Sequence, residues 1–195
     1  MTGNPENNSD LPFLHLALPV MDEPDLLPRL LGCLATQTYR RFRLHICVNQ
    51  PESWRDDPEK ATSCENNGAT LLMLEEWEGC ETVVIDRSTR GLGWIGKQHG
   101  VGYARKTLMD HINREATPDD VIVSLDADSV FSENYLLSIA LNFSAHPGAV
   151  ALAVPYFHKT GQDDVANRAM LQYEIYIRHY ILNLDRIGSP YAFTQ

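Results

Sequence analysis

Asp126 and Asp128 close the segment Asp120-Val-Ile-Val-Ser-Leu-Asp-Ala-Asp128, a short apolar run rich in β-branched residues. Such a run reads as a buried strand. Side chains alternate faces along a strand, so residues two apart point the same way. Two carboxylates therefore emerge together where the strand ends, separated only by the small Ala127. That pair is costly beside an apolar strand unless positive charge lies near it. A divalent cation is the natural partner, and hard oxygen ligands favour Mg²⁺ or Mn²⁺ over zinc or copper.

The elements that must position this pair follow from hydrophobic periodicity. Phe13–Val20, Arg43–Asn49, Thr82–Asp86 and Val121–Leu125 read as strands, and Ala149–Val154 as a fifth. Asp22-Glu-Pro-Asp25 opens a helix whose stripe is Leu26, Leu27, Leu30, Leu31 and Leu34. Pro28 fits only among the early residues that lack a hydrogen-bond partner. Gln50–Gly68 is polar and reads as loop with at most a helical turn, while Leu71–Trp77 extends as helix. A Gly-rich approach, Gly91 to Gly102, leads into a helix ending near Arg114, with Val101, Ala104, Leu108 and Ile112 on one face. Ser132 is the expected cap of a helix carrying Leu136, Ile139, Ala140 and Phe143. A last helix spans Asp164–Arg186.

Alternating strands and helices predict an α/β fold, a doubly wound, mostly parallel sheet flanked by helices. Residues 1–11 read as a disordered lead-in and 12–195 as a single domain. Four strands end in polar residues: near Asp22 and Glu23, at Asn49 to Ser53, at Asp86 to Thr89 and at Asp126 to Ser129. Ligands of open α/β sheets bind over that edge. Lys97, near a helix start, is placed to meet a phosphate, although a lone lysine is more often a solvated charge. The glycines before it match neither G-x-x-x-x-G-K-[ST] nor G-x-G-x-x-G, and read instead as room for close approach.

Composition narrows the function classes. An apolar fraction of 44% with 3 Trp, 8 Tyr and 6 Phe argues for a folded chain. Asp and Glu outnumber Lys and Arg by 26 to 16, a formal charge of −10 that weighs against nucleic-acid wrapping. The same charge means that an anionic diphosphate would need a metal ion to approach carboxylates. The 4 cysteines, Cys33, Cys47, Cys64 and Cys80, have no zinc-like spacing and read as small hydrophobes. No apolar run is long enough to span a membrane, and Met1 to Leu11 has no signal-peptide core, so a cytoplasmic setting is the default.

Four segments in order resemble the family 2 glycosyltransferases, inverting enzymes with a GT-A fold. Leu14-His-Leu-Ala-Leu-Pro-Val-Met-Asp-Glu23 is similar to the family's opening strand, apolar residues followed by Pro-x-Tyr-Asn-x-Glu. Leu34-Ala-Thr-Gln-Thr-Tyr39 resembles its S-L-x-x-Q-T-Y helix end. Thr89-Arg-Gly-Leu-Gly93 resembles its Gly-containing segment, with Lys97-Gln98 where Arg-Asn is usual. Leu125-Asp-Ala-Asp128 matches the D-x-D motif.

The resemblance implies roles. Pro19, Met21 and Glu23 would line the nucleotide base pocket, and Asn49 stands where an Asp usually contacts base or ribose. Lys97 would reach the base or diphosphate. Asp126 would sit near ribose and metal, and Asp128 would ligate the Mn²⁺ or Mg²⁺. The implied reaction is hexosyl transfer from a nucleoside-diphosphate sugar, UDP-sugar being the common donor, to an acceptor hydroxyl with inversion. The acceptor is open. In the family the general base follows another strand. It is expected beyond Gln195, together with the acceptor-binding part, which would leave this chain inactive by itself.

Other readings stand beside this one. A truncated chain would serve as a non-catalytic nucleotide-sugar-binding or interaction module. A sugar-nucleotide pyrophosphorylase would want a basic Gly-rich loop after strand one, where Met21-Asp-Glu-Pro-Asp25 is acidic. His15 and His45 fall in strand patterns and read as surface or satisfied core histidines, not ligands. His99 and His158 are single residues nearer the strand ends. Trp94 reads as packing at least as readily as a stacking platform. Tyr173, Tyr176 and Tyr180 share a face of the last helix and read as packing against a further C-terminal part or the sheet, ahead of an acceptor platform or an interfacial membrane face. Without that part the exposed patch favours self-association.

Overall fold

The computed structural model describes residues 10–96, 99–158, 160–189 and 192. The chain divides into two compact units, the first running to Pro147 and the second from Gly148.

The first unit is built on four strands: β1 (Leu14–Val20), β2 (Phe42–Asn49), β3 (Thr82–Arg87) and β4 (Val121–Ser124). Their order in the sheet is β3-β2-β1-β4 and every pairing is parallel. Between them run α1 (Leu27–Ala35), α2 (Ala61–Glu76) and α3 (Val101–Ile112), and α4 (Tyr135–Ala145) follows β4. This is the expected doubly wound α/β sheet. β1 is buried along its whole length because both of its faces are covered.

Strand alternation sorts the two faces. Leu14, Leu16, Leu18 and Val20 of β1 join Leu44, Ile46 and Val48 of β2 in one cluster with α1, α4 and Leu74 of α2. Ala17 and Cys47 face the other way, against Ala104, Leu108 and Ile112 of α3. His15, His45 and Asn49 share that second face by period. Burial pushes the Cys47 thiol up to about 12, so it behaves as a small hydrophobe. Burial pushes His45 down to about 4, leaving its ring neutral.

Several boundaries differ from expectation. α1 begins at Leu27, not at the acidic run, and Pro28 sits in its first positions where no N–H is missed. Asp22 adopts a left-handed φ of 60°, which no helix can include. α2 starts at Ala61 and takes up the last part of the expected loop, after two short 3₁₀ turns at Glu52–Asp56 and Pro58–Lys60. Its buried residues are Cys64, Asn67, Thr70 and Leu74, a helical stripe with a single large apolar member. Ser132 does not cap α4. Gln37, buried beyond the end of α1, accepts the Leu136 N–H at 3.0 Å and donates to the Ser132 carbonyl at 2.8 Å. Tyr39 is fully buried and donates to the Pro12 carbonyl at 2.6 Å. At the chain start, residues 1–9 lie outside the described residues, while Leu11 packs against the core and its carbonyl accepts Arg41 Nη1 at 2.6 Å.

The second unit carries α5 (Asp164–Arg186), where the sequence placed it. Asp163 caps it by accepting the Val165 N–H at 2.8 Å. Residues 149–154 form no strand among the described residues, which corrects the expected fifth strand. An apolar run becomes a strand only where a ladder partner takes its N–H and C=O groups, and Val150 is instead 99% exposed. Tyr173, Tyr176 and Tyr180 are exposed along α5. Among the described residues no helix is long and apolar enough to cross a membrane.

A buried polar chain ties α2 to the strand ends. Asn67 Oδ1 accepts the Asp22 N–H at 2.8 Å, Asn67 Nδ2 donates to Gln50 Oε1 at 2.8 Å, and Gln50 Nε2 donates to Cys64 Sγ at 3.3 Å. Asn67→Ala strips partners from two of these groups. We expect it to cost about 2–4 kcal/mol, read as a lower urea midpoint at unchanged slope.

Candidate functional site at the strand ends

The sheet reverses its winding beside β1. β2 and β3 add on one side of it, and β4 is reached by crossing back to the other. Loops leaving β1 and β4 therefore diverge, and a crevice opens over their carboxyl ends. The structure has a cleft there of roughly 240 Å³, lined by Pro19, Val20, Met21, Glu23, Asn49, Val101, Asp126, Ala127 and Asp128. Ligand pockets usually hold about 300–1,000 Å³, so this cleft lies below the usual size. Of the residues that the sequence pointed to, Pro19, Met21, Glu23, Asn49, Asp126 and Asp128 come together on its wall. Lys97 lies outside the described residues.

The acid pair sits as the alternation required. Leu125 and Ala127 are buried while Asp126 and Asp128 are exposed, so the β4 pattern persists past its last hydrogen bond. Asp126 already has a cation: Arg105, one turn into α3, bonds its Oδ1. Glu23 lies on the same wall. Burial holds its carboxyl above the usual range, and the neighbouring Asp128 and Asp22 charges add to this. Asp22 behaves oppositely. Hydrogen bonds from Asn66 Nδ2 and Ser63 Oγ, both at 2.6 Å, hold it below the usual range despite partial burial.

Asn49 lines the cleft but its side chain is occupied. Nδ2 donates to the Val20 carbonyl at 2.9 Å, and Oδ1 accepts the Trp94 indole N–H at 3.4 Å. It joins the ends of β1 and β2 and anchors the Gly-rich segment. Trp94 is packed rather than open, edge-on to Tyr103 at 4.8 Å and beneath the Arg87 guanidinium at 5.2 Å. At the end of β3, burial would raise Asp86, but hydrogen bonds from Thr89 and Ser88 outweigh it and hold the carboxyl low. That aspartate shapes its own turn.

The glycines have a structural use. Glu52 accepts the N–H groups of Gly91 at 2.8 Å and Gly93 at 2.9 Å, and Trp94 exchanges backbone hydrogen bonds with Gln50 and Glu52. Gly100, with φ of 94°, then turns the chain into α3, whose first residue, Val101, reaches the cleft. Sequence reading missed Arg105, Glu52, Gln50 and Asn67. The available signal for Arg105 was its position, four residues after Val101 on a helix whose start faces the acid pair.

No family model matches the sequence, and no curated protein matches it. A crystal structure of S. aureus TarS, residues 1–349, is similar in fold at 15% identity and a TM-score of 0.47. The overlay covers 73% of this chain and 38% of that one, so the chain spans well under half of that structure's length.

A Cβ at Gly93 would lie 2.7 Å from Glu52 Oε2 and 2.9 Å from the Glu52 Cα and N. Gly93→Ala is therefore expected to cost about 1–3 kcal/mol, visible as a lower melting temperature. Gly102→Ala, with nothing within 4 Å of the added atom, should leave the melting temperature unchanged or raise it.

Proposed function

We propose that this chain is the nucleotide-sugar-binding part of a metal-dependent glycosyltransferase of the GT-A type, akin to family 2. It would pass a hexosyl group from a nucleoside-diphosphate sugar, with UDP the favoured nucleotide, to an acceptor hydroxyl with inversion. The observation that carries this is the convergence of three strand ends on one cleft at the winding reversal, with the Asp126 and Asp128 carboxylates facing it.

The donor set fits a hard divalent cation. Its groups are carboxylate oxygens, and Glu23, raised first by burial and then by the Asp128 and Asp22 charges, stands on the same wall. Asp128 would hold the ion. Asp126 would share it through Oδ2, since Arg105 takes Oδ1. When bound, Mn²⁺ or Mg²⁺ would stabilise charge developing on the departing nucleoside diphosphate. The chain's own residues do the rest. Pro19 and Met21 offer apolar walls to a base. Asn49 joins the β1 and β2 ends, and Arg105 pairs with Asp126 Oδ1. The base that accepts the acceptor's proton is assigned to no residue of this chain.

Calorimetric titration with UDP tests the reading. Mn²⁺ should tighten binding by about tenfold or more, and Asp128→Ala should abolish that gain. Affinity that ignores Mn²⁺, or an Asp128→Ala chain that still responds to it, would overturn the proposal.

A further inference from the structure

A second group of ligand atoms lies near the opposite end of the sheet. His15 is the second residue of β1, six residues before Met21, which places it about 20 Å along the strand direction from the cleft. On the same sheet face His45 projects from β2, pairing in register with Ala17. Glu115 comes from the turn after α3, where its N–H is held by the Ile112 carbonyl at 3.0 Å. Three elements distant in sequence thus bring one atom each to a common point.

The spacing of those atoms is informative. His15 Nδ1 and His45 Nε2 are 3.0 Å apart, His45 Nε2 and Glu115 Oε1 are 3.4 Å apart, and His15 Nδ1 and Glu115 Oε1 are 3.8 Å apart. Ligands held at about 2.0–2.1 Å from a tetrahedral ion lie about 3.4 Å from one another. The triangle has the size of one face of such a tetrahedron.

Outer contacts favour the same use. Asp120 Oδ2 lies 3.3 Å from His15 Nε2 and accepts the Thr117 N–H at 2.8 Å. A carboxylate there holds the proton on Nε2 and leaves the Nδ1 lone pair facing His45 and Glu115. Arg43 Nη1 donates to the other oxygen of Glu115 at 3.2 Å, which orients Oε1 inward. His45 Nδ1 is buried without a partner and would carry the ring proton once Nε2 turns to an ion. The plain alternative is an Nε2–H of His45 donated to His15 Nδ1 and shared with Glu115 Oε1, which puts one proton where the ion would sit. The His45 side chain is 0% exposed and that of Glu115 36%, so the group is closed within the fold and open on the glutamate side.

We propose that His15, His45 and Glu115 form a three-ligand site for a zinc-class divalent cation, separate from the strand-end cleft. Two imidazoles and one carboxylate select zinc over magnesium or manganese, the reverse of the all-oxygen cleft. The ion would clip β1 and β2 to the connection between α3 and β4, with its fourth position left to water.

The test is equilibrium dialysis of the chelator-treated full chain against Zn²⁺ in excess Mg²⁺, with metal counted by mass spectrometry. One Zn²⁺ per chain is expected, with a raised melting temperature. Co²⁺ in its place should give the intense visible band of tetrahedral coordination. Glu115→Ala, at a partly exposed position, should weaken binding by about tenfold or more, and Asp120→Asn by a smaller factor. Circular dichroism checks that both variants fold. Absence of saturable binding would overturn the proposal. So would binding that persists unchanged in Glu115→Ala, which would assign the metal to surface histidines such as His146.

Discussion

β1 lies between β2 and β4 and pairs in parallel with both, and the first unit depends on that arrangement. Parallel pairing sends the carboxyl ends of β1, β2 and β4 to one edge. The register then decides what meets there. Val20 is level with Val48, and Ala17 with Ser124, so Met21 and Asn49 come level while Asp126 falls beside Pro19 and Asp128 beside Met21. A slip of one residue would turn Pro19 and Asn49 toward α1 and drive Leu18 and Val48 toward α3. The apolar load on the α1 face forbids that slip: Leu14, Leu16, Leu18 and Val20 all bury there. The cleft is thus a by-product of a core that has one satisfactory register.

Polar groups then fix the loops that apolar burial cannot. Asp22 holds a left-handed backbone because Asn67, Ser63 and Asn66 of α2 satisfy its N–H and carboxylate. Gln37 does similar work at α4. These contacts explain what was legible in the sequence and what was not. Strands show as β-branched runs, and α3 and α5 show as spaced apolar residues. α2 buries Cys64, Asn67 and Thr70, so apolar spacing has little to detect, and its polarity reads as loop. Ala149–Val154 shows the converse. Its apolar run is readable, but a ladder partner is a property of the fold, which no local pattern contains.

The candidate site divides in the same way. Strand-end position and side-chain type pointed to Pro19, Met21, Glu23, Asn49, Asp126 and Asp128, and the fold assembles them. Arg105 and the closed hydrogen bonding of Asn49 depend on distances between elements. The histidines show this most plainly. Taken singly, His15 and His45 are two polar residues in strands. Brought to 3.0 Å with Glu115 beside them, they present a ligand set. The two sites also differ in chemistry. The cleft offers oxygen atoms and excess negative charge, whereas the histidine group offers nitrogen and a single carboxylate.

Charge sets the condition for the cleft to work. Glu23, Asp126 and Asp128 line it, and Arg105 pairs with Asp126. At an effective dielectric of 20, two unit charges 4 Å apart interact by about 4 kcal/mol, so a diphosphate entering unaided meets repulsion that one arginine cannot offset. The proposed function therefore has cation and nucleotide occupy this cleft together. Paramagnetic broadening of backbone amide signals by Mn²⁺, in the full chain saturated with UDP, tests it most directly. The account predicts that the amides lining the cleft, Val20 to Glu23, Asn49 and Asp126 to Asp128, broaden beyond detection while those at the far end of the sheet, such as Leu14 and Phe42, stay sharp. Broadening confined to other parts of the chain, with those amides untouched, would contradict it.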